Sequence, residues 1–233
     1  MSEKTSGVAA VERALAILNA YQPGEAALSL AELAERTGLY KSTILRLVGT
    51  LIQAHCMQRL DDGRYQLGSM LLHWGSLYQS SLRLGDHVLP VLHRLVNETL
   101  EGASFFTREG NLRVCLFRVD SPRMVRDHVR AGDLLPLDKG AAGRVLVKFD
   151  PLLTPIAKRP ASPLVVTMGE REPDIGAVAA PVYGAGGSLR GALAVSGPST
   201  RFDEAAIEKI SELVLAAAID LTRRLGGQPE LLD

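Results

Sequence analysis

Residues 29 to 67 constrain the fold of this chain more than any other stretch. A capping box at Ser29 and Glu32 predicts the start of a helix, which Gly38 ends in the manner of a C′ glycine. A second helical pattern covers about residues 40–54, and an Asp-Gly pair at 62–63 joins two short alternating segments. Helix, glycine turn, helix and hairpin in this order predict a winged helix-turn-helix, which places its second helix in a DNA groove.

The second helix of this motif has an apolar face and a polar face. Apolar residues recur at helical spacing from Ile44 to Leu51, and the other side carries short hydrogen-bonding groups and two cations. A solvated face on an ordinary helical hairpin would also be polar, but the hairpin that follows favours contact with DNA. The residues of this helix predicted to contact DNA are Tyr40, Lys41, Ser42, Thr43 and Arg46, and Arg59 and Arg64 of the hairpin are available for the DNA backbone or minor groove.

Charge is balanced over the whole chain, with 26 basic and 26 acidic residues. Residues 40–60 nevertheless contain Lys41, Arg46 and Arg59 and no acid, so positive charge is local to the segment proposed to touch DNA. The two cysteines, Cys56 and Cys115, match no disulfide framework or metal motif and fit a reducing cytoplasm. We expect neither a signal peptide nor a transmembrane helix.

The remaining sequence predicts an α+β domain with a largely antiparallel sheet. Residues 68–82 form an apolar helical stripe, which could pair with a second copy or pack within its own chain. Gly85-Asp86 is expected to break the helical pattern. Strands are expected on both sides of Gly110, over 124–129 and in three later segments, and a long helix over 202–225 closes the domain.

Two segments of this second domain could contact a ligand. Small residues at 140–143 open a helix with uncovered N–H groups, which suits either an anion or close helix–sheet packing. The hydroxyl of Ser196 could face a ligand or cap a backbone group. The sequence contains no metal spacing, nucleophile elbow or supported acid–base pair, so it predicts no cofactor and no enzymatic activity.

Several separated segments, covering nearly the whole chain, resemble the IclR family of bacterial transcriptional regulators. They are VERALAIL, LSLAELAERTGLYKSTILRLVGTL, DGRYQLGSMLL, LPLDKGAAGRVLV and IGAVAAPVYGAGGSLRGALAVSGPSTRF. The resemblance implies a winged helix-turn-helix DNA-binding domain over 8–67, a linker helix over 68–83 and a GAF-like α/β effector-binding domain over 84–227. It also implies homodimers, often paired into tetramers.

Members of this family bind operator DNA and repress or activate genes in response to a small organic acid, aromatic in some cases. Family members that bind small keto acids have three polar residues at positions that here hold Thr167, Ala177 and Ala194. The resemblance therefore implies a less polar pocket and a larger or more apolar acid. The implied effector-binding residues are Ala141, Ala142, Thr167, Ala177, Ala194 and Ser196.

Two alternatives to a regulator remain at this stage. The chain could be a metabolite-binding enzyme whose N-terminal helices serve only association, or an interaction protein that has lost DNA binding. The lack of a catalytic set argues against the first, and the retained polar face from Lys41 to Arg46 argues against the second. The favoured hypothesis is a cytoplasmic, ligand-responsive regulator without catalytic activity.

Overall fold

The computed structural model describes residues 7–81, 84–155 and 160–232. The chain divides into two compact units, Met1–Ser81 and Leu82–Asp233. Each unit has a hydrophobic core of its own. Positions 82–83 of the predicted linker helix lie outside the described residues.

The first unit consists of three helices, a two-stranded antiparallel hairpin and a fourth helix. Ser29 and Glu32 form the reciprocal capping box that starts the second helix, and Gly38 ends that helix at φ +67°. The predicted winged helix-turn-helix is confirmed. The elements are α1 (Ala9–Leu18), α2 (Leu30–Thr37), α3 (Lys41–Gln53), β1 (Met57–Arg59), β2 (Tyr65–Leu67) and α4 (Met70–Ser81).

The core of the first unit is small and lies between its first three helices and the hairpin. It contains Ile17 of α1, Leu33 of α2, Ile44 of α3 and Tyr65 of β2, all buried. Burial of the apolar face of α3 in this core directs the polar face of the same helix to solvent.

Two helices of this unit leave large apolar side chains in solvent. Val11 and Leu15 of α1 are each more than half exposed, and so are Leu72 and Trp74 of α4. The apolar stripe predicted for α4 is therefore not a buried core stripe in the described part of the chain.

The second unit is built on one six-stranded sheet in which all neighbouring strands are antiparallel. The strand order across the sheet is β5-β4-β3-β8-β7-β6. This arrangement confirms the predicted α+β class. The strands are β3 (Gly102–Glu109), β4 (Leu112–Val119), β5 (Leu134–Pro136), β6 (Val165–Met168), β7 (Ile175–Tyr183) and β8 (Leu189–Pro198).

Three helices pack on this sheet and bury its apolar residues. They are α5 (Leu84–Thr99), α6 (Ala141–Lys148) and α7 (Glu204–Arg224). Helices α5 and α7 contact each other as well as the sheet, whereas α6 packs on β6, β7 and β8. The N-terminal end of α6 therefore lies close to these three strands.

One predicted strand of this unit is wrong. Residues 124–129 are all described and form no strand; they belong to the segment between β4 and β5, residues 120–133, which we call the strap. The end of the strap is bonded to β4, since Cys115 N–H donates to the carbonyl oxygen of Asp133, whereas two backbone carbonyls within residues 124–129 accept hydrogen bonds from arginine side chains. Arg118 Nη2 donates to the carbonyl oxygen of Asp127 at 3.0 Å, and Arg201 Nη2 donates to that of Val125 at 3.1 Å.

The predicted helix break at Gly85-Asp86 is also wrong. Both residues lie in the first turn of α5, where the acid at Asp86 suits the helix dipole. A Cβ at Gly85 would lie 3.2 Å from the ring of Phe117. This glycine therefore permits close packing of α5 on the sheet and does not end a helix.

Candidate functional site

The polar face of α3 is open to solvent, as a DNA-contacting helix requires. Tyr40, Lys41, Ser42 and Arg46 are exposed, and Thr43 is half-buried. Tyr40 is the N-cap residue and forms no side-chain cap hydrogen bond, so N–H groups in the first turn of α3 can donate hydrogen bonds to an anion. The structure thus places five of the predicted DNA-contacting residues on the first two turns of one helix.

Two cations of this face, Lys41 and Arg46, form no ion pair within residues 7–81. Within residues 7–81, the ion pairs join Arg36 to Glu25 and Arg64 to Asp62, and neither involves Lys41 or Arg46. Arg64, the sixth predicted contact, donates from Nε to Asp62 Oδ2 at 2.8 Å in the hairpin turn. Arg64 must therefore exchange this carboxylate for a phosphate if it is to bind DNA.

All six predicted effector-binding residues line one pocket in the second unit. Residues two apart on a strand share a face, so the side chains from the strands converge on the same side of the sheet, next to the first turn of α6. Contact of these residues with an effector stays a prediction. Helix α6 supplies Ala141 and Ala142, β6 supplies Thr167, β7 supplies Ala177, and β8 supplies Ala194 and Ser196.

Three charged side chains that sequence analysis did not single out also line this pocket. Arg113 of β4 is 3% exposed, Asp127 of the strap is 4% exposed, and Arg171 follows β6. Asp127 accepts hydrogen bonds from Arg171 Nη2 at 2.6 Å and from Ser196 Oγ at 2.7 Å. The pocket is therefore more highly charged than the six predicted residues alone indicate, because segments far apart in the chain bring charges to it; a less polar pocket than in relatives that bind small keto acids stays a prediction.

Arg113 is buried beside the first turn of α6. It donates from Nη1 to the carbonyl oxygens of Pro136 and Lys139, and its guanidinium lies 5.4 Å from the centre of the Phe106 ring. Its Nε has no hydrogen-bond partner within the described part of the chain. Burial, together with the charge of Arg171, lowers the pKa of Arg113 to about 10, so it remains protonated at neutral pH. A buried charged donor without a hydrogen-bond partner costs free energy because it loses its hydration without replacement.

The pocket is almost filled by its own side chains. The cavity volume is about 30 Å³, which leaves room for roughly one or two water molecules. Burial alone would raise the pKa of Asp127, but the charge of Arg171 and the hydrogen bond from Ser196 outweigh it, and the net pKa lies below the ordinary value. Asp127 is therefore a charged carboxylate at the polar end of the pocket.

A larger cleft of about 1030 Å³ borders the β3–β4 turn and the turn after β7. It is lined by none of the predicted effector-binding residues, and two of its charged groups, Arg108 and Asp150, pair with each other at 3.2 Å. The smaller pocket, with its buried charges and its helix end, is the better candidate for a specific ligand site.

Within the described ranges, no group of three or more His, Cys, Asp or Glu side chains could hold a metal ion. Cys56 and Cys115 are buried and free, and burial raises the pKa of Cys115 to about 12, which makes it a poor nucleophile at neutral pH. The helices in the described part of the chain are too short or too polar to cross a membrane.

Both units match known protein families and full-length relatives. Residues 10–55 match the IclR helix-turn-helix domain, and residues 151–223 match the bacterial transcriptional regulator IclR C-terminal domain. The HTH-type transcriptional regulator KipR of Bacillus subtilis is 25% identical over 93% of this chain and 96% of its own length. The HTH-type transcriptional repressor AllR of Salmonella typhi is 26% identical over 96% of this chain and 92% of its own length.

Solved structures agree with this assignment at the level of the fold. A regulator from Alicyclobacillus acidocaldarius superposes with a TM-score of 0.80 at 21% identity, covering 95% of this chain and 100% of that one. An IclR homologue from Microbacterium hydrocarbonoxydans, complexed with 4-hydroxybenzoate, gives a TM-score of 0.77 at 20% identity over 93% and 99% of the two chains. From both matched domains and the relatives of similar length, the chain belongs to the IclR family of bacterial transcriptional regulators.

Proposed function

We propose that α3 reads operator DNA and that the pocket beside α6 senses a small organic acid. The observation that carries the DNA-reading half is the exposed face of α3, which holds Lys41 and Arg46 without an ion pair in the described range and has open N–H groups at its start. In this proposal residues 8–67 form the DNA-binding domain, residues 68–83 the linker helix and residues 84–227 the effector-binding domain.

Replacing Arg46 with alanine should weaken operator binding by about 1–3 kcal/mol, because a bidentate contact to a guanine edge is worth that much. Folding should not change, since Arg46 is exposed on the surface of α3. Fluorescence anisotropy with an operator duplex at fixed salt concentration measures the loss. Arg130→Ala, which removes an exposed arginine from the second unit, is the matched control. An operator affinity equal to that of wild type in Arg46→Ala would exclude a base-reading role.

The sensing half rests on the chemistry of the pocket. Within the described residues, α6 has no side-chain cap hydrogen bond from its N-cap residue, and the buried Nε of Arg113 has no partner; both features favour an anion. An anion already lies at this helix end, where Gly140 N–H donates to Glu170 Oε2 at 3.2 Å. The homologue solved with 4-hydroxybenzoate supports an acid as the ligand class.

An organic acid that binds this pocket should change operator affinity, because a ligand with different affinity for two states shifts their populations. We expect at least one acid in a panel of aliphatic and aromatic acids to change operator affinity by about fivefold or more, the lower end of typical allosteric coupling. The measurement is operator anisotropy with and without each acid. A panel that leaves operator affinity unchanged would count against acid sensing.

We also propose that the protein acts as a homodimer, or as a pair of dimers, joined through α1 and α4. Leu15 and Leu72 are among the apolar side chains that these helices expose, and such patches commonly mark interaction surfaces. In sedimentation experiments the wild type should be at least dimeric, and a Leu15→Glu, Leu72→Glu protein should be monomeric at the same concentration. Leu112→Glu, at an exposed leucine of the second unit, should not change the oligomeric state. A monomeric wild type would contradict this proposal.

The function proposed above needs no catalysis. The relatives named above are transcriptional regulators, and we propose that this chain likewise has no enzymatic activity, requires no cofactor and works in the cytoplasm, where operator DNA is found.

A further inference from the structure

We propose that Asp127 is a built-in carboxylate that occupies the anion site of the pocket, and that the effector is a dicarboxylate that displaces it. This inference rests on the proposed acid-sensing function and names the ligand class and the event that admits the ligand.

Asp127 already holds the partners that an acid would use. One carboxylate oxygen accepts from Arg171 Nη2 at 2.6 Å and the other accepts from Ser196 Oγ at 2.7 Å. Ser196 is itself one of the predicted effector contacts. Because the remaining cavity is only about 30 Å³, an organic acid cannot enter while the Asp127 side chain stays in place.

The backbone around Asp127 is anchored, so its side chain is the part that can leave. Arg118 holds the carbonyl oxygen of Asp127, Arg201 holds that of Val125, and Ser121 Oγ donates to the carbonyl oxygen of Leu100 at 2.7 Å. Rotation of the Asp127 side chain out of the pocket opens the anion site without breaking the hydrogen bonds that hold the strap backbone.

The charges of the pocket favour an effector with two carboxylates. With Asp127 in place, its carboxylate pairs with Arg171, which also lies 3.7 Å from the exposed Glu172. Within the described residues, buried Arg113 forms no ion pair, and its Nε has no hydrogen-bond partner. A monocarboxylate would replace Asp127 and leave Arg113 without a carboxylate. A second carboxylate can reach Arg113 and the start of α6, where a buried cation and the helix dipole both stabilise an anion.

Acetate tests whether Asp127 fills an anion site. In the full-length Asp127→Ala protein, a carboxylate-sized space is left between Arg171 and Ser196. Sodium acetate should therefore raise the Tm of this variant relative to sodium chloride at equal ionic strength, and should raise the Tm of wild type less or not at all. Glu172→Ala is the matched control, because it removes an exposed carboxylate that lies 3.7 Å from the same Arg171. No acetate effect in Asp127→Ala, or an equal effect in all three proteins, overturns the proposal.

A second variant covers the case in which Asp127→Ala does not fold. Asp127→Asn keeps the shape of the side chain and removes its charge, so a dicarboxylate should displace it more easily. Calorimetric titration with succinate, glutarate and adipate should show at least one of these acids binding about tenfold or more tightly to Asp127→Asn than to wild type, since hydrogen bonds to charged groups exceed neutral ones by about that much. The monomethyl ester of the same acid should bind at least about tenfold more weakly than the diacid, by loss of one charge-assisted contact.

If Asp127→Asn binds the diacids with the same affinity as wild type or more weakly, the displacement of Asp127 is overturned. If the monomethyl ester binds as tightly as its diacid, or if no diacid in the panel binds, the dicarboxylate ligand class is overturned.

Failure of this inference is distinguishable from failure of the proposed function. If acetate stabilises Asp127→Ala but no acid changes operator affinity, the pocket is an anion site and the sensing function is wrong. If an acid changes operator affinity but neither Asp127 variant behaves as expected, sensing stands and displacement is wrong.

Discussion

Replacing Ile44 with alanine should destabilise the first unit by about 2–5 kcal/mol and abolish operator binding. Ile44 points away from the face of α3 proposed to read DNA, so the loss would come from folding and not from a lost DNA contact. The side chain is fully buried in the core that also contains Leu33, Val48 and Tyr65.

The size of this effect follows from the size of the core. Within residues 7–81, the buried apolar cluster has only seven residues, and such a small unit is expected near the lower end of the net stability of about 5–15 kcal/mol that is usual for proteins. A cavity at Ile44 therefore removes a large part of the free energy of unfolding, and α3 loses the surface that orients its polar face.

The neighbouring residue supplies the control for this prediction. Leu45 is about half exposed on the same helix, and Leu45→Ala should change the free energy of unfolding by about 0.5 kcal/mol or less. Thermal unfolding and operator anisotropy measure both variants. An Ile44→Ala protein that unfolds and binds operator like the wild type would refute the structural role given to this residue.

Replacing Gly143 with alanine should destabilise the second unit by about 1–3 kcal/mol and remove the response to an acid effector, because the added methyl group overpacks the start of α6. A Cβ at this position would overlap Arg113 Nη1 and the carbonyl oxygen of Leu137. The carbonyl belongs to the backbone and cannot move aside cheaply, so either the guanidinium or the first turn of α6 must shift. Both belong to the proposed pocket.

Operator binding in the absence of effector should persist in Gly143→Ala, since the change lies in the second unit. Gly49→Ala is the control for glycine loss in a helix, because nothing lies within 4 Å of a Cβ added there. That change should leave the free energy of unfolding unchanged or raise it by up to about 1 kcal/mol. A Gly143→Ala protein with wild-type stability and a wild-type acid response would show that Arg113 does not depend on this glycine.

The helix-turn-helix was predictable because its signals are local. Ser29 and Glu32 cap the same helix, and Gly38 has the left-handed conformation expected after a helix end. The Asp-Gly pair lies in the turn between β1 and β2, as expected for a hairpin. Interactions over three or four residues do not depend on the rest of the fold, so sequence patterns report them directly.

The strap shows where local patterns mislead. Residues 124–129 were predicted to form a strand, yet Met124 and Val125 are exposed and Asp127 is buried. Side chains of Arg118 and Arg201 hold the backbone of this stretch, whereas β4 bonds to the end of the strap at Gly132 and Asp133. Nothing within six residues of sequence indicates such partners.

The six implied effector-binding residues came from a family resemblance, and the structure places them around one pocket. The three charged side chains of this pocket, in contrast, were found only in the tertiary structure. Arg113 lies at the start of β4, Asp127 on the strap and Arg171 after β6, with Asp127 and Arg171 separated by 44 residues.

Short-range signals in the amino-acid sequence were thus sufficient to predict the helix-turn-helix of the first unit, the α+β class of the second unit and the helix that starts with small residues at α6. Tertiary contacts alone decided the strand order, the strap and the pairing of Asp127 with Arg171 and Ser196. The physical reason is that capping and turn preferences act between near neighbours in the chain, whereas a buried charge acquires its partners only when distant segments are packed together.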